Sequence, residues 1–187
     1  ALGVDAVMTE DIEVAIQALR DKQTKYAPFL GFPQVRENIA RHIRETRGVE
    51  VDADNIMLEP GGKPAIELSI QALVGPGDYI VGQNPAFPIY ESLAGFYAPG
   101  RYLPWLAKEG ANGLEFDVND LEEILAKNKS IKLLIINTPH NPIGTTLTRD
   151  KVEKIAALSQ KYNFMVLFDD IYDQIIFSGH EHFSLLS

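Results

Sequence analysis

The sequence contains no cysteine, and this absence excludes a disulfide framework and a thiolate metal site. Histidine is also scarce, with only four in the chain. The pair His180 and His182 flanks a glutamate, an arrangement that could hold a metal ion. Their neighbours favour a solvated loop instead, and we predict no metal site.

An excess of positive charge and long apolar runs are missing as well. The formal net charge of −9 argues against nucleic acid or an anionic membrane as a partner. No run approaches the roughly 18 apolar residues that a membrane-spanning helix needs. No signal-peptide pattern opens the sequence. The default expectation is a cytoplasmic enzyme.

What is present is an ordinary globular composition, with 45% hydrophobic and 23% charged residues in a chain of 187. Short apolar runs alternate with amphipathic segments, a pattern that predicts alternating strands and helices. Such alternation indicates an α/β fold, a three-layer α/β/α sandwich with a mostly parallel sheet. We expect an N-terminal helical segment at residues 1–50, leading into a large domain at residues 51–187.

Two apolar runs near the end of the chain, Leu133–Ile136 and Met165–Phe168, are typical of parallel strands buried on both faces. Polar residues follow each run, Asn137–Asn141 after the first and Asp169–Tyr172 after the second. Ligands of open parallel sheets bind outside the carboxyl ends of the strands. The sequence therefore predicts a binding site at this edge.

These polar segments read NTPHNPIG from residue 137 and DDIY from residue 169, and together they resemble the signature of class I and II aminotransferases. That family consists of fold-type I pyridoxal phosphate (PLP) enzymes. The resemblance implies that Asp169 pairs with the protonated pyridine nitrogen of PLP, because a carboxylate stabilises the charged ring. It also implies that Asn141 and Tyr172 hydrogen-bond the phenolic oxygen. The alternative is that Asp169 and Asp170 only cap a following helix.

Three further blocks resemble the family in the same order along the chain. Gly61, Gly62 and Lys63 precede a predicted helix and match the turn that binds the cofactor phosphate, although glycines also serve plain turns. Phe87 matches the aromatic residue that stacks on the pyridine ring; the alternative is a core residue. Tyr26 matches a tyrosine that reaches the phosphate of the neighbouring subunit; the alternative is a core or surface residue.

The sequence departs from the family pattern at one decisive point. The family forms a Schiff base with a lysine a few tens of residues beyond the aspartate, whereas the last lysine here is Lys161. Lys63 matches the phosphate turn and is not expected to reach the cofactor aldehyde. We therefore expect a PLP-binding large domain truncated before the catalytic lysine and inactive alone. Its predicted first strand, Ile56–Leu58, would then lack the strands that connect it to the sheet.

The resemblance implies an aminotransferase that exchanges an amino group between an amino acid and a 2-oxo acid, as a homodimer. A carbon–sulfur β-lyase on the same scaffold is the first alternative. The second is a non-catalytic PLP-sensing domain of a transcription regulator. Substrate identity is not predicted, because its determinants are expected in the part of the family fold that this sequence lacks.

Overall fold

The computed structural model describes residues 9–110 and 113–186. Residues 1–8 of the expected N-terminal segment lie outside this described part of the chain. The described residues form two compact units. Residues 9–45 and 50–58 make up the first unit, and residues 46–49, 59–110 and 113–186 make up the second. Every predicted site residue except Tyr26 belongs to the second unit.

The first unit contains two helices and a short 3-10 helix. They are α1 (Thr9–Arg20), α2 (Pro33–Arg47), whose last two residues count with the second unit, and the 3-10 helix Ala53–Asn55. Arg44 donates to the carbonyl oxygen of Val51 at 2.6 Å, and Arg36 donates to that of Ala53 at 2.7 Å. These bonds tie the chain that follows α2 back onto the helix.

The prediction of a strand at Ile56–Leu58 is wrong. The backbone is extended at Ile56, but no strand of the described residues pairs with the segment, so no ladder forms. The Leu58 N–H donates instead to the Leu30 carbonyl oxygen at 3.2 Å. Gly31 permits this approach, since a Cβ added there would lie 2.5 Å from the Leu58 side chain.

The second unit contains six strands. They are β1 (Tyr79–Asn84), β2 (Tyr102–Leu106), β3 (Lys108–Gly110), β4 (Gly113–Glu115), β5 (Ile131–Asn137) and β6 (Met165–Asp169). Four of them form a sheet in the order β2-β1-β5-β6, and every neighbouring pair is parallel. β3 and β4 pair separately as an antiparallel ribbon.

Helices cover both faces of this sheet. They are α3 (Gly62–Leu73), α4 (Ile89–Tyr97), α5 (Val118–Lys127) and α6 (Arg149–Tyr162). Leu133 and Ile135 pack with buried residues of α3 and α4, whereas Leu134 and Ile136 pack with buried residues of α5 and α6. β5 is therefore buried on both sides, which explains its continuous apolar run. The predicted three-layer α/β/α arrangement with a parallel sheet is confirmed.

Asp117 is the N-cap of helix α5, and its carboxylate accepts the Asn119 N–H at 2.9 Å. Val118, the first residue of the helix, is buried in the core next to this cap.

Within residues 9–110 and 113–186, no helix combines the length and apolar character that crossing a membrane requires. The same part of the chain holds no group of three or more His, Asp or Glu side chains suited to a metal ion. His182 of the histidine pair instead donates from Nε2 to the Asp170 carboxylate at 3.0 Å.

Candidate functional site

A cavity of about 480 Å³ opens at the carboxyl end of the parallel sheet in the second unit. Strands β5 and β6 and the start of α3 contribute its walls. Six of the eight predicted site residues line it: Gly62, Lys63, Phe87, Asn141, Asp169 and Tyr172. The expected site at this edge of the sheet is therefore a real concavity, within the size range of small-molecule pockets.

The carboxylate of Asp169 is held from two sides. Its Oδ2 accepts the phenol of Tyr90 at 2.6 Å, and its Oδ1 accepts the Ile171 N–H at 3.2 Å. Residues 171–174 form turns, so no helix follows for Asp169 and Asp170 to cap. The helix-capping alternative is thereby removed, and Asp169 presents a fixed carboxylate to the cavity.

Tyr90 is the partner that sequence reasoning missed, although it closes the NPAFPIY segment. Its side chain is buried, and burial together with the hydrogen bond to Asp169 raises the pKa of the phenol far above its ordinary value. The Tyr90 phenol therefore stays protonated across the physiological pH range and donates a hydrogen bond to the Asp169 carboxylate. The Phe87 ring meets Tyr90 edge to face, with centroids 5.9 Å apart and planes at 85°.

Asn137 connects the two motif segments, and its part was likewise not foreseen. Its side-chain amide donates to the Asp169 carbonyl oxygen at 3.0 Å, while its Oδ1 accepts the Asn141 N–H at 2.8 Å. The Asn137 N–H donates to the buried side chain of Gln83 on β1 at 2.7 Å. One buried amide thus fixes the Asn141 backbone relative to the end of β6, which carries Asp169.

The N-terminus of α3 forms the other end of the cavity. Gly61 is its N-cap with φ 99°, and no side chain caps the helix. A Cβ added at Gly61 or Gly62 would meet nothing within 4 Å, so the space beside this turn is open. Lys63 places its ammonium 5.9 Å from the Phe87 ring centroid. The N–H groups of a first helical turn, the positive helix end and a lysine together suit a phosphate.

Gly61 and Tyr26 are the predicted site residues that do not line this cavity. Gly61 stands directly beside it as the N-cap of α3. Tyr26 belongs to the first unit, where its side chain is fully exposed. Its assigned contact with a neighbouring subunit stays a prediction.

His140 stabilises the motif loop from the other side of the sheet. It is buried, its ring lies 4.9 Å from that of Phe116, and its Nδ1 accepts the Ile143 N–H at 3.4 Å. Burial lowers the pKa of His140 to about 4, so the ring is neutral at pH 7. A neutral imidazole can accept this N–H bond, whereas the protonated ring cannot.

Comparison with known proteins decides the family. The model of the family "Aminotransferase class I and II" matches residues 2–186. The chain belongs to this family. It is 33% identical over 177 residues to a probable aspartate aminotransferase of Methanocaldococcus jannaschii, covering 92% of this chain and 44% of that protein. It is also 33% identical over 175 residues to the aspartate/prephenate aminotransferase of Thermus thermophilus, covering 92% of this chain and 43% of the relative.

Solved aminotransferase structures share the fold. A double mutant of Thermus thermophilus aspartate aminotransferase superposes with a TM-score of 0.89 at 30% identity, over 99% of this chain and 47% of that one. A PLP-bound putative aminotransferase from Clostridium difficile gives a TM-score of 0.77 at 26% identity, over 91% of this chain and 43% of that one. The chain thus spans less than half the length of the relatives it matches.

The family is PLP-dependent, and the cavity can be judged against that cofactor by its donor set. PLP combines a ring nitrogen that carries a proton, a flat ring, a phenolic oxygen and a dianionic phosphate. Asp169 supplies a carboxylate for the nitrogen, and the α3 N-terminus with Lys63 supplies positive charge for the phosphate. Asn141 and Tyr172 add polar groups to the same lining. The residues present fit PLP.

Proposed function

We propose that the protein carrying this chain is a PLP-dependent aminotransferase, which exchanges an amino group between an amino acid and a 2-oxo acid. The main support is one observation: Asn141 after β5, Asp169 at the end of β6 and Tyr172 beyond it line a single cavity. The relatives are named for different amino acids, such as aspartate in Methanocaldococcus jannaschii and arginine in Pseudomonas aeruginosa. The proposal is therefore limited to the shared reaction.

The bound cofactor supplies an electron sink for negative charge developing on the amino acid. The task of Asp169 is to keep the ring nitrogen protonated through a charge-assisted hydrogen bond. Tyr90 and the Ile171 N–H hold the Asp169 carboxylate in one orientation, so it meets the nitrogen without first reorganising. Asn141 and Tyr172 orient the ring by hydrogen bonds to the phenolic oxygen.

The remaining residues bind the cofactor without taking part in proton chemistry. Phe87 offers an aromatic face for the ring, and this contact contributes roughly 1 kcal/mol beyond burial. Gly61, Gly62 and Lys63 bind the phosphate at the N-terminus of α3. Lys63 is the only lysine among the described residues that line this cavity. We assign it to binding of the phosphate rather than to covalent attachment of the cofactor.

We further propose a cytoplasmic homodimer in which Tyr26 binds the phosphate held by the other subunit. Support comes from the first unit, where Tyr26 and Phe29 expose nearly their whole side chains. Exposed aromatic residues close together in sequence are common at protein interfaces.

The test uses the full-length protein, a panel of amino acids and 2-oxo acids, and the variant Asp169→Ala. Transamination by the wild type and its collapse in Asp169→Ala are expected, while Lys161→Met, which removes an exposed ion pair with Glu122, keeps wild-type activity. Near-wild-type activity of Asp169→Ala would remove Asp169 from the mechanism. Release of pyruvate and ammonia without a 2-oxo acid acceptor would replace the aminotransferase with a β-lyase.

A further inference from the structure

A dense polar cluster, here called the Arg47 cluster, lies beside the site and consists of Arg47, Asp170, Asp173, His182 and Ser184. Arg47 donates from Nη1 to Asp170 at 2.8 Å and from Nη2 to Asp173 at 2.9 Å. Its Nη1 also donates to the Ser184 hydroxyl at 2.8 Å. One guanidinium thus joins two carboxylates that are three residues apart in the chain.

The cluster is largely withdrawn from water. The side chains of Arg47, Asp170 and Asp173 are 21%, 18% and 26% exposed. Ser184 donates its hydroxyl to Asp170 at 2.7 Å, and His182 donates to the other oxygen of the same carboxylate. Removing one partner of a buried pair leaves an uncompensated charge, which is strongly unfavourable. Without Arg47, Asp173 would lose its guanidinium partner, and Asp170 would keep only the hydrogen bonds from Ser184 and His182.

Asp170 and Asp173 lie on either side of Tyr172 in the chain, in a segment of the site that belongs to no helix or strand. Asp170 directly follows Asp169, and Asp173 directly follows Tyr172. The Asp173 N–H donates to the Asp170 carbonyl oxygen at 2.9 Å, which closes the turn that contains Tyr172. Packing of the sheet fixes Asp169 at the end of β6, but Tyr172 depends on this turn. Whatever fixes the turn therefore fixes the backbone from which the Tyr172 side chain extends.

We propose that Arg47 is a positioning residue that acts through Tyr172, by locking the turn between Asp170 and Asp173 so that the tyrosine is held ready for the cofactor. This inference rests on the proposed function, because the role of Tyr172 toward PLP belongs to that proposal. Arginine suits the task because its planar fork reaches two acceptors at once, whereas a lysine presents a single point charge.

The experiment is a double-mutant cycle on the full-length protein, with the PLP dissociation constant as the readout. Arg47→Met and Tyr172→Phe are each expected to weaken PLP binding about tenfold, or roughly 1.4 kcal/mol. The double variant is expected to bind PLP no more weakly than either single variant, because both changes remove the same contact. Arg47→Lys is expected to recover part of the loss. Lys161→Met is the control.

A second readout needs no cofactor. In the PLP-free protein, hydrogen exchange at the amides of residues 171–175 is expected to accelerate in Arg47→Met and to stay unchanged in Lys161→Met. If Arg47→Met does not fold, Asp173→Asn replaces it, since this change releases one arm of the guanidinium and keeps the pair with Asp170.

Two results would overturn the inference. One is wild-type PLP affinity in Arg47→Met, and the other is a pair of losses that multiply in the double variant, which would make Arg47 independent of Tyr172. Neither result touches the proposed function. That proposal fails separately, if the wild-type protein neither binds PLP nor transaminates.

Discussion

At the scale of single residues, the carboxylate of Asp169 depends on the phenol of Tyr90. The 2.6 Å hydrogen bond between them is made by a buried tyrosine whose raised pKa keeps it protonated. Hydrogen bonds to a charged group contribute roughly 1.5–3 kcal/mol. Tyr90 therefore orients the carboxylate that we propose as the partner of the PLP ring nitrogen.

Tyr90→Phe is expected to weaken PLP binding and to lower kcat by about ten- to a hundredfold, because the ring and its packing remain while the donor is lost. The PLP dissociation constant and steady-state kinetics measure both effects. Tyr102→Phe is the matched control, since the Tyr102 hydroxyl makes only a 3.4 Å contact with the Gln83 carbonyl oxygen. Equal behaviour of the two variants would show that the Tyr90 phenol does not support Asp169.

His140 gives a pH-dependent contribution to stability. Because burial lowers its pKa to about 4 from about 6.5 in the unfolded chain, the stabilisation is present above pH 6.5 and is lost as the pH falls toward 4. As the pH falls from 7 to 4, the free energy of unfolding of His140→Asn is expected to decrease by roughly 2–3 kcal/mol less than that of the wild type. Urea unfolding between pH 4 and pH 7 measures this difference.

The exposed His180 supplies the control for this measurement, as His180→Asn should leave the pH profile of the wild type intact. An unchanged acid limb in His140→Asn would mean that the buried imidazole is not what titrates.

Sequence patterns predicted some residues of the site and missed others, and the difference has a physical reason. Asn141, Asp169, Tyr172 and Phe87 lie in short motifs that resemble those of the family, so a resemblance suffices to propose them as site residues. Tyr90 supports Asp169 from a helix 79 residues away in the chain. Such supporting contacts depend on how the helices pack on the sheet, and local patterns carry no signal for them.

At the scale of elements, the N-terminus of α3 combines two requirements in one glycine. Gly61 needs its positive φ of 99° to start the helix, and its lack of a side chain leaves open space beside the turn. The wrong prediction of a strand at Ile56–Leu58 also concerns whole elements. Ile56–Leu58 has a strand-like apolar pattern, but a strand forms only when another strand pairs with it.

Gly61→Ala is expected to lower the free energy of unfolding by about 1 kcal/mol, because alanine is strained at positive φ. PLP binding is expected to weaken as well, since the turn that faces the phosphate must shift. Gly95→Ala in α4 is the opposite case, because its added Cβ meets nothing within 4 Å at ordinary helical φ. This variant should gain about 0.5 kcal/mol, and thermal unfolding compares the two.

If Gly61→Ala is as stable as the wild type and holds PLP equally well, the glycine serves only as a connection and the phosphate assignment is contradicted.

At the scale of the whole molecule, the second unit places all its polar site residues at one edge of a four-stranded parallel sheet. Helices on both faces leave that edge as the place where side chains from β5 and β6 converge. The three-layer fold followed from the alternating pattern, whereas the role of the first unit did not. The function proposed for its exposed Tyr26 is binding of the phosphate held by a neighbouring subunit.

Hybrid dimers test this last point. Tyr26→Phe and Asp169→Asn are each expected to be weakly active alone. When both variants are mixed and re-equilibrated, hybrid dimers should contain one native site, so the activity should exceed that of both parents. Activity equal to the average of the parents would show that Tyr26 does not act across an interface.

The most direct measurement of the central claim is the nitrogen-15 NMR shift of ring-labelled PLP bound to the full-length protein. We expect a protonated ring nitrogen in the wild type near pH 7, and loss of that proton in Asp169→Asn, because the carboxylate that stabilises the charge is gone. A ring nitrogen that is unprotonated in the wild type, or equally protonated in Asp169→Asn, would contradict the assignment of this cavity.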